Sequence, residues 1–169
     1  EVSGIENACA DLFDSASMVI TCCWHTDPAA LGTVKRLTKD MGFKRIVVCS
    51  ASVLDKKIAY TSQLAHVVSN AYIKDGRSSG CLGFTGGSFQ DMTRIAGVDE
   101  NVWAELYLLN SANLWAGTSA LVGHLEEIER AVEAGDEAAL RDVLAAGREC
   151  FERSRAYAPE GDVTVTQLK

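Results

Sequence analysis

The chain has 169 residues and a formal net charge of −7, from 23 acidic and 16 basic side chains. Its composition, with 47% hydrophobic residues, 23% charged residues and two prolines, excludes disorder and indicates an ordered, rather helical protein. The net negative charge argues against a nucleic-acid partner, because binding to the phosphate backbone needs clustered Lys and Arg. We therefore expect a small molecule or another protein as the partner.

Six cysteines are scattered along the chain without CxxC spacing, which argues against a zinc ribbon or a dithiol redox motif: Cys9, Cys22, Cys23, Cys49, Cys81 and Cys150. The simplest interpretation is buried free thiols in a reducing compartment. A metal site formed by Cys22, Cys23 and His25 is a much weaker alternative. The sequence contains neither an apolar run of roughly 18 residues nor a secretion-signal pattern, so we expect a cytoplasmic protein without a membrane partner.

The first 50 residues predict a strand, a helix and a second strand. Residues 18–22 and 46–49 are short apolar runs, and Thr26-Asp27-Pro28 supplies an N-cap and a first-turn proline before the helix that Gly42 ends. Apolar strands in this order are typical of a parallel sheet covered on both faces. Because the chain opens without Met on residues typical of a loop, we expect a fragment whose remaining sheet precedes Glu1.

After residue 50 the periodicity becomes helical. Ser52 with Asp55 resembles a capping box, and an apolar stripe predicts one long helix: Leu54, Ile58, Thr61, Leu64, Ala65, Val68 and Tyr72. A glycine-rich loop and a helical turn over 89–94 follow. Asp99 and Asp136 are N-cap candidates for later helices, with a break near residues 110–111 and an acidic block, residues 126–137, on a solvated face. We predict domains at 1–50 and 51–156, and a tail at 157–169.

Polar side chains on the long helix are candidates for binding. Ser62 and His66 are four residues apart, and Gln63 lies three before His66, so the three share a face. The alternative is that His66 has only a structural role and forms its hydrogen bonds within the fold. Apart from the weak metal-site alternative at His25, we expect His25 and His124 to be structural histidines.

The loop over 83–88 is not a dinucleotide fingerprint, because the GxGxxG spacing and a preceding strand are missing. Its glycines would allow a ligand to approach the backbone closely. One turn later, Arg94 could present its planar guanidinium to a carboxylate, with Asp91 supporting it. An ordinary intrahelical ion pair between these two residues is an equally good interpretation of the spacing.

Three segments in this order resemble the helical domain of the prephenate dehydrogenase family: Thr61-Ser62-Gln63-Leu64-Ala65-His66, then Gly86-Gly87-Ser88-Phe89-Gln90-Asp91-Met92-Thr93-Arg94-Ile95-Ala96, then Trp103. Glu1-Val2-Ser3-Gly4 and Asp11-Leu12-Phe13 extend the likeness. Members oxidatively decarboxylate prephenate to 4-hydroxyphenylpyruvate with NAD or NADP on the route to tyrosine, and close relatives use arogenate. The resemblance implies a mainly α fold, a helical dimerisation domain of the 6-phosphogluconate dehydrogenase C-terminal-like type preceded by a βαβ remnant of a Rossmann-like domain.

The resemblance also implies roles for individual residues in a homodimer. Arg94 matches the arginine that grips a substrate carboxylate, and His66 matches a histidine near the substrate side chain. Gly87 and Asp91 match residues that line and support the pocket, and Trp103 matches a tryptophan contributed across the dimer interface. The remaining candidates at the pocket, by position, are Ser62, Gln63, Glu1 and Ser3.

The chain departs from the family pattern at Gln63, Ala65 and Ser88, where the family more often has His, Pro and Gly. The resemblance places the catalytic histidine upstream of Glu1, so we expect this chain alone to be inactive and to bind no cofactor. Two alternatives are a non-catalytic helical dimerisation or ligand-binding module, and the helical domain of another two-domain NAD(P)-dependent dehydrogenase.

Overall fold

The computed structural model describes residues 4–14, 16–156 and 162–164, which form two compact units. The first contains the described residues up to Leu54 and those from Arg155 onward, and the second contains Asp55–Ser154. Strands occur only in the first unit among the described residues, and helices make up most of the chain. The predicted fold class, mainly helical with a small parallel sheet element, is therefore confirmed.

The first unit has the predicted strand, helix and strand. They are β1 (Ser17–Thr21), α1 (Pro28–Asp40) and β2 (Arg45–Cys49). The two strands are parallel, with Met18 opposite Ile46. Ile46 is completely buried, as the apolar pattern of the run indicates.

Helix α1 begins and ends where the sequence predicts. The Asp27 carboxylate accepts a hydrogen bond of 2.9 Å from the backbone N–H two residues later, and Pro28 is the first helical residue. Gly42 ends the helix with a φ of 94°, a backbone conformation that favours glycine. The buried residue of α1 is Thr38, whereas its apolar stripe is largely exposed at Val34, Leu37 and Met41.

A third strand, β3 (Val163–Thr164), pairs in parallel with β2, within the segment that the sequence predicts as a tail. Asp162 fixes the approach of this strand. Its carboxylate lies 2.9 Å from Lys39 Nζ and accepts a hydrogen bond of 3.3 Å from the Ile46 backbone N–H. The hydrogen bond and charge of Lys39 lower the pKa of Asp162. Two residues are too few for a periodic pattern, so the sequence did not indicate this strand.

The predicted long helix is continuous but contains a wider turn. It comprises α2 (Ala51–Ile58), a π-helical segment (Ala59–Gln63) and α3 (Leu64–Ile73). Its start differs from the predicted capping box at Ser52. Ser50 caps the helix instead, because its hydroxyl accepts from the Val53 N–H at 3.4 Å and its carbonyl also accepts from that residue.

The remaining helices complete the second unit, with a 3₁₀ turn at Gly76–Gly80: α4 (Gly87–Thr93), α5 (Glu100–Leu109), α6 (Ser111–Glu133) and α7 (Glu137–Ala156). Helix α7 runs two residues beyond the unit, which ends at Ser154. The predicted N-caps at Asp99 and Asp136 and the break at Asn110 are confirmed. Helix α4 begins two residues before the predicted turn. Helix α3 packs against α4 and α6, with Leu64 and Leu114 buried.

The prediction of buried thiols is correct only for Cys49. All six cysteines are free, but Cys9, Cys23 and Cys150 are exposed, the first two in loops and the third on α7, a helix without buried residues. The acidic block on α6 and α7 is exposed, as predicted. No helix in the described part of the chain is long and apolar enough to cross a membrane.

Candidate functional site

His66 is the best-defined candidate, since its ring is fixed along one edge. The side chain is half-buried on α3, and its Nδ1 lies 3.0 Å from the Ser62 backbone oxygen. A carbonyl oxygen can only accept, so Nδ1 carries the hydrogen and donates it. In the neutral ring Nε2 then keeps its lone pair and can accept a hydrogen bond from a ligand. Ser62 therefore contributes through its backbone in this structure.

Trp103 covers the face of the His66 ring. The ring centroids are 3.8 Å apart with planes inclined at 32°, and Tyr107, one turn along α5, meets the indole edge-on at 5.7 Å. Burial raises the pKa of the Tyr107 hydroxyl. The resemblance implies that Trp103 is contributed across a dimer interface, whereas the structure of one chain places it against its own His66. Sequence reasoning did not identify Tyr107, although its spacing from Trp103 is helical.

Gln63 is buried at the end of the π-helical segment, and both ends of its amide have partners within the fold. Its Nε2 donates to the Leu106 carbonyl at 3.1 Å, and its Oε1 accepts from Asn110 Nδ2 at 2.9 Å. The same Asn110 nitrogen donates to the Asp55 carbonyl at 2.8 Å. Gln63 thus joins the long helix to α5 and to the α5–α6 junction. Sequence reasoning had identified Asn110 only as a helix break.

Arg94 lies at the carboxyl end of α4 and is exposed. Asp91 is also exposed, and neither a hydrogen bond nor an ion pair joins the two side chains in the part of the chain that the structure describes. The predicted support of Arg94 by Asp91 is therefore not seen in this single chain. The guanidinium is left available for an external anion.

Gly86 and Gly87 begin helix α4, and both face open space. A Cβ atom built on either residue would meet nothing within 4 Å. The backbone at Gly86 is extended, so neither glycine is required by an unusual conformation. The space beside them is compatible with the close approach of a ligand.

The structure brings together one part of the predicted site. His66 contacts both the Ser62 carbonyl and the Trp103 ring, and Gln63 lies between Ser62 and His66 on the long helix. No described contact links Arg94 to this group, and a shared pocket remains a prediction. Glu1 and Ser3 lie outside the described residues.

An open apolar groove runs between the long helix and α6. Its volume is about 590 Å³, and its walls include Leu64, Val68, Gly117, Ala120 and Leu121. Several large apolar side chains elsewhere on α5 and α6 are also exposed, among them Leu108, Leu109, Trp115 and Leu125. One chain therefore leaves much apolar surface uncovered on this unit.

A second cavity, of about 450 Å³, is lined by residues that the sequence analysis did not propose as a site, including Tyr72, Arg77 and Phe89. The Arg77 guanidinium donates two hydrogen bonds from one edge to the Asp75 carboxylate, from Nε to Oδ1 at 2.8 Å and from Nη2 to Oδ2. This contact holds the pKa of the Asp75 carboxyl well below its usual range. The cavity therefore presents a neutralised pair rather than a free charge.

The described residues contain no cluster of three or more His, Cys, Asp or Glu side chains that could hold a metal ion. Cys23 and His25 do approach each other, with Sγ 3.4 Å from Nε2. Two such groups do not complete a structural zinc site, which uses four protein ligands.

Comparison with known proteins places this arrangement in a family. The model of the prephenate dehydrogenase dimerization domain matches residues 50–146, more than half of the chain. The chain is 27% identical over 143 residues to cyclohexadienyl dehydrogenase of Zymomonas mobilis subsp. mobilis, a match that covers 80% of this chain and 48% of that protein. The chain thus spans about half the length of this relative.

Solved structures share the fold. Arogenate dehydrogenase of Synechocystis is 23% identical with a TM-score of 0.73, covering 89% of this chain and 56% of the other. Prephenate dehydrogenase of A. aeolicus in complex with hydroxyphenyl propionate and NAD+ is also 23% identical with a TM-score of 0.73, covering 92% and 55%. The predicted family resemblance is confirmed, and the chain belongs to the prephenate dehydrogenase family through its dimerization domain.

Proposed function

We propose that this chain is the substrate-binding and dimer-forming part of an NAD(P)-dependent dehydrogenase that oxidatively decarboxylates prephenate or arogenate. The observation that carries the proposal is the His66 ring. Its Nδ1 donates to Ser62, its face stacks on Trp103, and its Nε2 remains for a ligand. The family match and the relatives named above support the same conclusion.

The proposed substrate carries carboxylates and a ring hydroxyl, and the candidate residues offer complementary groups. The exposed Arg94 guanidinium can bind a carboxylate through two parallel hydrogen bonds. His66 Nε2, as an acceptor in the neutral ring, can bind a hydroxyl or ammonium group. Gly86 and Gly87 leave room for the substrate beside the backbone. These residues would bind and orient the substrate.

Gln63 and Asn110 would act on this site indirectly. They hold the π-helical segment, and that segment contains Ser62, whose carbonyl orients His66. We therefore assign Gln63 a positioning role, because its amide is buried and already has partners at both ends. A direct contact with the substrate would require that network to open.

The described part of the chain does not fit the nicotinamide cofactor that such a reaction requires. A dinucleotide pyrophosphate binds at a glycine-rich turn between a strand and a helix. The turn between β1 and α1, residues 22–27, contains no glycine, and only Ser50 separates β2 from α2. These two turns therefore offer no binding site for the pyrophosphate of the cofactor.

A second copy of this chain is the proposed occupant of the apolar groove. The matching family model is that of a dimerization domain, and the groove walls are formed by the helices that the model covers. Ala120 lies on α6 in the wall of the groove and is exposed, so a second chain docking there would cover the groove.

The proposed activity is tested by following NAD(P) reduction with the full-length protein that contains this sequence, using prephenate and arogenate as substrates. Oxidation of either compound with loss of carbon dioxide supports the proposal. Failure to oxidise both, by protein that is folded and dimeric, would leave the alternative of a non-catalytic dimerisation and ligand-binding module.

A further inference from the structure

The loop after β1 holds a compact group of thiol, imidazole and hydroxyl that the dehydrogenase site does not use. Cys23 Sγ lies 3.4 Å from His25 Nε2 and 3.4 Å from Thr26 Oγ1. All three residues belong to the first unit, and Cys23 and His25 are exposed. The group lies at the carboxyl end of a strand in a parallel sheet, an edge where ligands commonly bind such sheets.

The backbone holds the three groups in this arrangement. The N–H of Cys22 donates to the Cys49 carbonyl at 2.8 Å, which fixes the end of β1 against β2. A tight turn follows, in which the Thr26 N–H donates to the Cys23 carbonyl at 3.1 Å. The turn brings the side chains of residues 23, 25 and 26 to the same side.

The hydrogen bonds around Thr26 favour a thiolate. The Cys23 backbone N–H donates to Thr26 Oγ1 at 3.0 Å, so this oxygen is already used as an acceptor. Its own hydrogen is then free to donate to Cys23 Sγ, which stabilises negative charge on sulfur. In agreement, the Thr26 hydroxyl and the surrounding backbone lower the pKa of Cys23.

His25 supplies the second requirement of a reactive thiol, a group that takes the proton. Its Nε2 is within reach of the sulfur, and its ring packs edge-on against Trp24, with centroids 4.9 Å apart. The nearby carboxylate of Asp27 is engaged with the Ala29 N–H as the N-cap of α1. A thiol whose proton can pass to a neighbouring imidazole is an activated nucleophile.

We propose that Cys23 is a reactive thiol, activated by His25 and Thr26, that accepts modification by low-molecular-weight disulfides. In the reaction His25 takes the Cys23 proton, and the thiolate attacks one sulfur of the disulfide. A new bond forms between Cys23 Sγ and that sulfur, and the other sulfur leaves as a thiolate. Cys23 is oxidised to a mixed disulfide, and one half of the reagent is reduced.

The test measures modification rates within one protein. The Cys22→Ser variant removes the neighbouring thiol, and oxidised glutathione at neutral pH is the probe. Peptide mass spectrometry follows Cys23 and, as the internal control, Cys9, which is exposed and has no thiol contact among the described residues. We expect Cys23 to react at least about 5-fold faster than Cys9.

Two substitutions identify the cause of that reactivity. His25→Ala should slow the modification of Cys23 at least about 3-fold while the Cys9 rate stays unchanged. Thr26→Val should slow it similarly, and Thr26→Ser, which keeps the hydroxyl, should restore it. Equal rates at Cys23 and Cys9, or a Cys23 rate unaffected by His25→Ala, would overturn the proposal.

Discussion

The imidazole of His66 and the indole of Trp103 stack within one chain, with ring centroids 3.8 Å apart and planes inclined at 32°. The same imidazole donates through Nδ1 to the Ser62 carbonyl at 3.0 Å. One face and one edge of the ring are therefore fixed before any ligand binds. Because the ring is already held, ligand binding costs less side-chain conformational entropy, and the site is partly preorganised.

Removal of the Trp103 side chain should weaken the helical unit. Trp103→Ala loses the stack on His66 and the contact with Tyr107, and we expect a decrease of about 2–3 kcal/mol in the free energy of unfolding. Urea denaturation measures this. Trp24→Ala is the matched control, because Trp24 is 91% exposed and its loss should change stability by less than about 0.5 kcal/mol. Equal effects of the two substitutions would argue against the stack.

Loss of the Asn110 amide should be costly because it leaves the buried oxygen of Gln63 without its hydrogen-bond donor. Asn110→Ala removes the hydrogen bonds to Gln63 Oε1 and to the Asp55 carbonyl. We expect a loss of about 2–3 kcal/mol in stability. Asn101→Ala, at an exposed position in the first turn of α5, serves as the control. When Gln63 is already replaced by Leu, Asn110→Ala should lower the free energy of unfolding by less than it does in the wild type. If the losses from the two substitutions simply add, the proposed network is contradicted.

Much of the fold could be predicted because local signals agree with tertiary structure. Asp27, Asp99 and Asp136 cap the helices where the sequence indicated. The short apolar runs became parallel strands because β-branched residues suit that environment. Strand β3 was missed since its existence depends on Asp162 reaching Lys39 and Ile46, contacts over more than 100 positions that leave no local pattern.

The site was predictable only in part. The spacing of Ser62 and His66 indicated a shared helix face, but not that Ser62 would contribute through its carbonyl. Gln63 was predicted to face the substrate, and the structure instead gives its amide partners on α5 and at Asn110. Burial of a polar side chain depends on which helix packs over it. The periodicity of one helix does not specify that packing.

A charge placed in the apolar groove should prevent dimer formation. Ala120→Glu is accommodated in a single chain, because Ala120 is exposed there, but it would bury an unpaired carboxylate between two chains. We expect a dimer of the wild-type chain at micromolar concentration and a monomer of the variant, measured by analytical ultracentrifugation. Ala30→Glu on α1, also exposed, should remain dimeric. A monomeric wild type would contradict the proposed interface.

The chain alone should neither bind NAD or NADP measurably nor oxidise prephenate. The described strand-to-helix turns provide no glycine-rich loop for a pyrophosphate. Isothermal titration calorimetry with NAD and NADP tests cofactor binding. Absorbance of the reduced nicotinamide, followed in the presence of prephenate, tests oxidation. Micromolar binding to this chain would show that a phosphate site exists which the structure does not suggest.

The most direct test of the account is the effect of Arg94→Lys on the proposed oxidation of prephenate or arogenate by the full-length protein that contains this sequence. A lysine keeps the charge but cannot form two parallel hydrogen bonds with a carboxylate. We predict that kcat/KM falls roughly 30-fold or more, nearly as far as in Arg94→Ala, which corresponds to about 2 kcal/mol or more of transition-state stabilisation. Arg141→Lys on α7, where Arg141 pairs with Glu137 on the surface, should leave kcat/KM unchanged. An unchanged KM and kcat in Arg94→Lys would contradict the assignment of Arg94 to the substrate site.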